Sequence, residues 1–279
     1  MTREEVNKDS IDRRGALRIM ADRTLECGVE PIELCFSLIY DALGREPVAC
    51  RVLPRINSVI YGVLTPERYG DAADMSETGV SFMLRILKKV SELSAWMKKN
   101  GGYRKCRFFV SAPTALIYSD DPYGILCGAL GKATRAGRGI SLELLPSVLT
   151  EDAERVARAF SDIRAAGFGV ALGGYGSREM TMPDMVTATP DEVFMDGGMT
   201  ALLSGSLRSA AAVAMVRYAA GLGARVIAEG AGDDTALRAL SSSEAYGFIP
   251  SESYSGIEEL RAGILSVTEF TDAMREGTA

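Results

Sequence analysis

There is no histidine among the 279 residues. That gap excludes Ser-His-Asp and Cys-His catalysis, histidine-ligated metals and imidazole proton shuttles. Any acid–base chemistry falls to Asp, Glu, Lys, Cys or Tyr. Long hydrophobic runs are missing too. No apolar stretch approaches the ~18 residues of a membrane span, and the start, Met1-Thr2-Arg3-Glu4-Glu5, has no apolar signal core behind it. Cysteine is sparse: five thiols sit at 27, 35, 50, 106 and 127, an odd count with none two residues apart. That pattern argues for reduced thiols in a cytoplasmic protein and against a zinc site. Surplus positive charge is absent. At a net charge of −6, nucleic-acid binding is not expected, and the Arg104, Lys105, Arg107 cluster reads as a solvated strand entrance.

What is present is an ordinary globular composition, 47% hydrophobic and 24% charged. The length suits one large α/β barrel. Residues 3–26 are polar and helix-prone, with Leu17, Met20, Ala21 and Leu25 on one face. They read as a lead helix in an extension covering residues 1–30, packing on the rest of the chain or on a second copy. Two β-rich runs follow, Ile32–Tyr40 and Pro47–Leu53, and Asp41-Ala42-Leu43-Gly44 between them predicts a hairpin. Helices and strands then alternate. Met83, Ile86, Leu87, Val90, Leu93 and Met97 form a helical stripe stopped at Gly101-Gly102. Strands are expected at Arg107–Val110, Ile140–Leu145, Phe168–Leu172, Glu192–Met195, Ala224–Ala228 and Ala245–Ile249. Helices are expected at 121–136, Glu151–Ala166, along Leu207, Ala211, Met215 and Tyr218, at Asp233–Leu240 and at 256–263. Such alternation predicts a parallel sheet covered by helices. With near eight strands and no linker, one barrel over residues 31–279 fits better than two domains.

Short motifs at the strand ends give this frame a family likeness. Arg51-Val52-Leu53-Pro54-Arg55 resembles the E-A-L-x-R signature of EAL domains, the barrel phosphodiesterases that hydrolyse cyclic di-GMP. The resemblance implies an α/β fold, a TIM-like (β/α)8 barrel of EAL type that opens with an antiparallel hairpin. Further matches follow in order. Phe109-Val110-Ser111 looks like V-N-x-S. Leu142-Glu143-Leu144-Leu145-Pro146-Ser147 looks like L-E-I-T-E-S. Leu172-Gly173-Gly174-Tyr175-Gly176 looks like L-D-D-F-G. Phe194-Met195-Asp196 looks like K-I-D, Ala228-Glu229-Gly230-Ala231-Gly232 looks like A-E-G-V-E, and Tyr246-Gly247-Phe248 looks like Q-G-Y.

Against that pattern, Arg51 stands where the family has a metal-binding glutamate, and Gly173 and Gly174 stand for metal-bridging aspartates. Ser111 replaces an asparagine and Phe194 a lysine. A guanidinium has no acceptor and stays charged, so it does not replace a carboxylate ligand. Two-metal phosphodiester cleavage needs two ions a few ångströms apart. The resemblance therefore implies a barrel without catalytic residues, metal or cofactor. The retained pocket candidates are Arg51, Arg55, Glu143, Asp196 and Glu229. Glu143 alternates with Leu142 and Leu144 and so points away from them; a buried salt bridge to Arg51 or Arg55, ligand contact and metal contact are its three readings, and Arg51 is expected to pair with Glu143 or Glu229 across the barrel mouth. Arg55 either holds a phosphate or neutralises Glu143. Gly173-Gly174-x-Gly176 is either a plain turn or an anion-binding nest. Phe194 and Tyr246 are expected as apolar bulk at the barrel mouth. The function implied is a non-catalytic regulatory module that binds another protein in bacterial signalling. The alternative is a non-hydrolysing receptor for cyclic di-GMP or a related nucleotide. A homodimer and a cytoplasmic location are expected, and cyclic di-GMP binding is not.

Overall fold

Two apolar runs joined by a short polar turn start the folded body, and everything else closes around them. The computed structural model describes residues 32–43, 46–58, 62–74, 77–100, 106–130, 139–150, 152–180, 182–205, 208–251 and 264–276. The sequence-based lead helix over 3–26 and the helix over 256–263 lie outside these residues.

The strands, in chain order, are β1 (Ile32–Glu33), β2 (Cys35–Asp41), β3 (Pro47–Val52), β4 (Arg55–Ser58), β5 (Gly62–Leu64), β6 (Arg107–Ser111), β7 (Ile140–Leu144), β8 (Gly169–Tyr175), β9 (Glu192–Met195), β10 (Arg225–Ala231), β11 (Gly247–Pro250) and β12 (Ile264–Ser266). Strands β2 and β3 form the expected hairpin, with Ser37 opposite Arg51 and Ile39 opposite Ala49. From β3 the sheet runs through β6, β7, β8, β9, β10 and β11 with every neighbour parallel. Strand β11 then pairs antiparallel with β2, which closes an eight-stranded ring. The ring is therefore a (β/α)8-type barrel with one inverted strand at its opening. Strands β1, β4 and β5 make a small antiparallel sheet beside it. Strand β12 pairs antiparallel with the start of β2.

Helices cover the outside because each presents one apolar face to the strands. Glu77–Asn100 buries Met83, Ile86, Leu87, Val90 and Met97, the stripe read from the sequence. Ala153–Ala165 buries Val156, Ala159, Phe160 and Ile163, and Asp152 caps it by accepting from the Glu154 and Arg155 amides. A helix outside the elements expected from the sequence, Val267–Glu276, lays Phe270 on Phe36 at 4.3 Å between ring centroids.

Two strands run past their expected ends for one reason. β8 reaches Tyr175 and β10 reaches Ala231, where the pattern predicted stops at Leu172 and Ala228. In each case a glycine in the left-handed region, Gly174 at φ +67° or Gly230 at φ +70°, lets a bulge carry the strand onward. Gly173 and Gly174 are thus part of a bulged strand end, not a free turn.

Inward-facing residues stack in three layers, as the period of two demands. The middle layer is Ile39, Ala49, Phe109, Ala171, Phe194 and Ile227, all with no exposed surface. Above it, at the C-terminal strand ends, stand Arg51, Glu143 and Glu229. Below it, at the N-terminal ends, stand Arg107, Ser141, Glu192 and Arg225. Both flanking layers are charged, and the apolar plate separates them.

Candidate functional site

The upper layer is held by a single guanidinium. Arg51 donates from Nε to Glu143 Oε2 at 3.0 Å and from Nη2 to Glu143 Oε1 at 2.8 Å, a two-pronged contact. The same Nη2 also donates to Glu229 Oε1. The Arg51 guanidinium carbon lies 4.0 Å over the centre of the Phe194 ring, so the cation rests on the face of the apolar plate. Strands β3, β7 and β10 supply the three charges, and the ring closure brings them together across 92 and 178 residues of chain. Burial pushes the Glu143 carboxyl up; the Arg51 charge pulls it down and Glu229 pushes it up again, leaving it above the usual range. Burial works against the charge on Arg51, but Glu143 and then Glu229 outweigh it and raise the guanidinium further.

This triad is the floor of an open cleft of about 450 Å³. Gly173 and Gly174 form one wall, and Leu145 with Pro146 gives an apolar rim. A Cβ on Gly173 would sit 3.4 Å from Glu143 Oε1, and one on Gly174 would sit 3.0 Å from the Pro146 ring. Asp196 faces the cleft while its carboxylate caps the short helix Gly197–Ala201, accepting from the Gly198 amide at 2.9 Å. Arg178 and Glu179 complete the charged lining. Among the described residues two arginines face four carboxylates, Glu143, Glu179, Asp196 and Glu229, a balance of −2 for this lining.

Of the candidates read from the sequence, Arg51, Glu143, Asp196 and Glu229 line this one cleft. Arg55 does not. It stands on β4 in the small sheet, in register with Glu33, and is not among the lining residues. Its Nε is buried with no hydrogen-bond partner among the described residues. Glu143 is neutralised by Arg51, not by Arg55. Phe194 lies beneath the triad in the buried plate. Tyr246 is corrected outright: it sits at the opposite end of the barrel, its ring 5.5 Å from the Arg225 guanidinium. Strand β11 begins only at Gly247, so the residue before it belongs to the base.

Arg107 needs a similar correction. It is not a solvated strand entrance but turns into the barrel base. There it donates to Ser141 Oγ at 3.1 Å and lies 3.3 Å from Glu192 Oε1. Arg225 donates to the same carboxylate oxygen. Glu192 is wholly buried, and its Oε2 has no partner among the described residues. A side chain on Gly169 would lie 2.4 Å from Ser141 Oγ and 3.2 Å from that oxygen, so the glycine makes room for the cluster. Residues Arg178, Glu179 and Glu192 were not singled out in the sequence. The period-two alternation that put Glu143 inside also puts Glu192 inside, two residues before Phe194 on β9.

An eight-stranded barrel with one inverted strand and a charged cleft over its C-terminal strand ends is a defined architectural class. The chain belongs to the EAL domain family, whose model matches residues 26–248. Among solved structures, the cAMP-bound EAL enzyme Bd1971 is similar over 98% of this chain and 72% of its own, at 16% identity and a TM-score of 0.77. The PaMucR phosphodiesterase in complex with c-di-GMP aligns over 84% of this chain and 94% of its own, at 18% identity and a TM-score of 0.70. An EAL domain protein from Listeria monocytogenes aligns over 87% and 92%, at 15% identity and 0.67. At these identities the structural likeness concerns the fold. Comparison with curated protein sequences gives no match. Among the described residues no helix is long and apolar enough to cross a membrane.

Proposed function

We propose that this chain is a non-catalytic EAL domain that regulates a protein partner in bacterial cyclic di-GMP signalling, in the cytoplasm and as a homodimer. The observation that carries the first part is the position of Arg51. Its guanidinium occupies the point where Glu143 and Glu229 converge, which is where two carboxylates would otherwise hold a divalent cation. The residues present do not fit a two-metal centre. A fixed positive charge sits between the two acidic ligands, and glycines stand at 173 and 174 where the family resemblance puts aspartates. Among the described residues no group of three metal-ligating side chains converges.

The cleft's charge argues against a nucleotide with two phosphates. Coulomb repulsion at ~4 Å and an effective dielectric near 20 costs about 4 kcal/mol per unshielded contact. Arg51 is already committed to the two glutamates, so it does not offset that. Among the described residues Arg178 is the cation left in the cleft lining, and one arginine contact returns no more than the repulsion costs.

The second reading, a non-hydrolysing cyclic di-GMP receptor, has one observation in its favour: Arg178, Gly173 and Gly174 line the same cleft as Arg51. Titration calorimetry separates the two. The proposal expects no cyclic di-GMP hydrolysis with Mg²⁺ or Mn²⁺ and a dissociation constant weaker than about 100 µM, some −5.5 kcal/mol. Micromolar binding abolished by Arg178→Ala would establish the receptor reading instead. Light scattering checks the homodimer, for which the expected mass is twice that of the chain.

A further inference from the structure

We infer that Cys50 and Cys106 form a peroxide-responsive thiol pair that staples β3 to β6 on the outer side of the barrel. Their sulfurs lie 3.9 Å apart, and the Cys106 thiol has two acceptors within reach, Cys50 Sγ and the Arg107 carbonyl oxygen at 3.5 Å. A disulfide requires ~2.05 Å, so closure needs a movement of about 2 Å. The fold allows that movement on one side. Cys50 is locked in β3 with no exposed surface. Cys106 is half-buried and lies just ahead of Arg107, the first residue of β6, so the sheet ladder does not yet fix it.

The two environments assign the order of events. Burial, and then the hydrogen bond and charge of Cys106, push the Cys50 thiol well up. Cys50 therefore stays protonated and out of reach of solvent oxidants, and Cys106 meets them first. The co-reactant is a hydroperoxide. The Cys106 sulfur attacks its O–O bond; an S–O bond forms, the O–O bond breaks, and the leaving hydroxide takes the thiol proton as water. Cys106 is then a sulfenic acid, oxidised by two electrons while the peroxide is reduced. The Cys50 proton passes to the Cys106 sulfenic hydroxyl as the Cys50 sulfur attacks Cys106 Sγ as the thiolate; the S–S bond forms, the S–O bond breaks, and the hydroxyl departs as a second water.

The staple would link the strand carrying Arg51 to the strand carrying Arg107, one residue from each. It thereby ties the upper charged layer to the lower one and closes a loop over the whole segment between them.

The test treats the full chain with hydrogen peroxide under native conditions, blocks remaining thiols, and maps tryptic peptides by mass. The expected product is a reducible cross-link between the peptides containing Cys50 and Cys106. It is absent in Cys106→Ser, while in Cys50→Ser the Cys106 sulfenic acid persists and is captured by dimedone. Circular dichroism of both serine variants verifies that they are folded. The inference is overturned if wild-type Cys106 proceeds to the sulfinic acid with Cys50 still a free thiol, or if its disulfide forms with any cysteine other than Cys50.

Discussion

The two ends of the barrel solve the same problem with opposite charge counts. At the C-terminal mouth one arginine, Arg51, faces two carboxylates, Glu143 and Glu229. At the base one carboxylate, Glu192, faces two arginines, Arg107 and Arg225. The apolar plate between them, with Phe109 and Phe194 edge to face at 4.9 Å, keeps the clusters apart. The base carboxylate is wholly buried, whereas the Glu143 and Glu229 side chains keep 12% and 33% of their surface. The base is thus a structural joint around a closed-off carboxylate, although its arginines, Arg107 and Arg225, keep 26% and 39% of their side-chain surface. The mouth is an open cleft whose surplus negative charge stays exposed to solvent. Position along the strands separates the roles: in barrels of this kind the N-terminal face holds the fold and the C-terminal face meets ligands.

The largest effect is expected at the base. Glu192→Ala leaves Arg107 and Arg225 facing each other across the barrel without their shared anion. Breaking a buried ion cluster by removing one partner costs ~3–5 kcal/mol, and the partial exposure of the two arginines places this case at about 3 kcal/mol. Urea denaturation of the variant against the wild type measures it. A loss under about 1 kcal/mol, the range of a surface ion pair, would mean that the two ends do not differ in kind.

Next comes Arg51→Ala, which sets Glu143 against Glu229. Here solvent softens the penalty, and about 2 kcal/mol is expected for a half-open pair. This effect depends on pH with a definite sign. The Glu143 carboxyl is already held above its ordinary value of 4.5 by burial, and losing Arg51 removes the charge that pulls it down. A group raised in the folded state contributes stability below its unfolded value and loses it as pH rises through the folded value. The variant's deficit relative to wild type should therefore be smallest in mild acid and grow toward neutrality. A deficit independent of pH would point to lost packing on Phe194 instead.

How much of this was legible beforehand follows from periodicity. Alternation along β7 put Glu143 inside the barrel, and the motif order along the chain implied that Arg51 and Glu229 stand on nearby strand ends. The hairpin and the helical stripe from Met83 to Met97 were readable for the same reason: burial imposes a period of two or of 3.6. Glycine hid the rest. Gly173, Gly174 and Gly230 read locally as chain breaks, yet ring closure keeps β8 and β10 paired through bulges. The base cluster was hidden because Arg107 followed two other basic residues and so resembled a solvated run. Only the closed ring shows that its side chain has nowhere to go but inward, toward Glu192. Arg55 illustrates the converse: it matched a family motif, yet the chain turns at Leu53-Pro54 and carries it into the small sheet.

The smallest effect lies outside both clusters and calibrates them. Asp233 caps the helix Asp234–Ser241 by accepting from the Ala236 amide at 2.8 Å. That hydrogen bond, with one from Ser204, holds its carboxyl below the usual 3.8. Asp233→Ala should cost about 1 kcal/mol at neutral pH. A depressed carboxylate contributes stability above its unfolded value and loses it as pH falls through the folded one, so the wild-type advantage should fade only in strong acid. The two carboxyl shifts are opposite in sign, yet both wild-type advantages shrink toward acid, in mild acid for Arg51 and only in strong acid for Asp233, and thermal melts across pH read both.

The account rests on Arg51 standing in for a cation at the mouth. The most direct measurement is Mn²⁺ titration, by calorimetry, of the wild type and of Arg51→Gln, a substitution that keeps the chain's bulk and removes its charge. The account predicts that the wild type binds no Mn²⁺, and that the variant, with Glu143 and Glu229 no longer neutralised, takes up one ion. Equal behaviour of the two proteins, whether both bind or neither does, would contradict it.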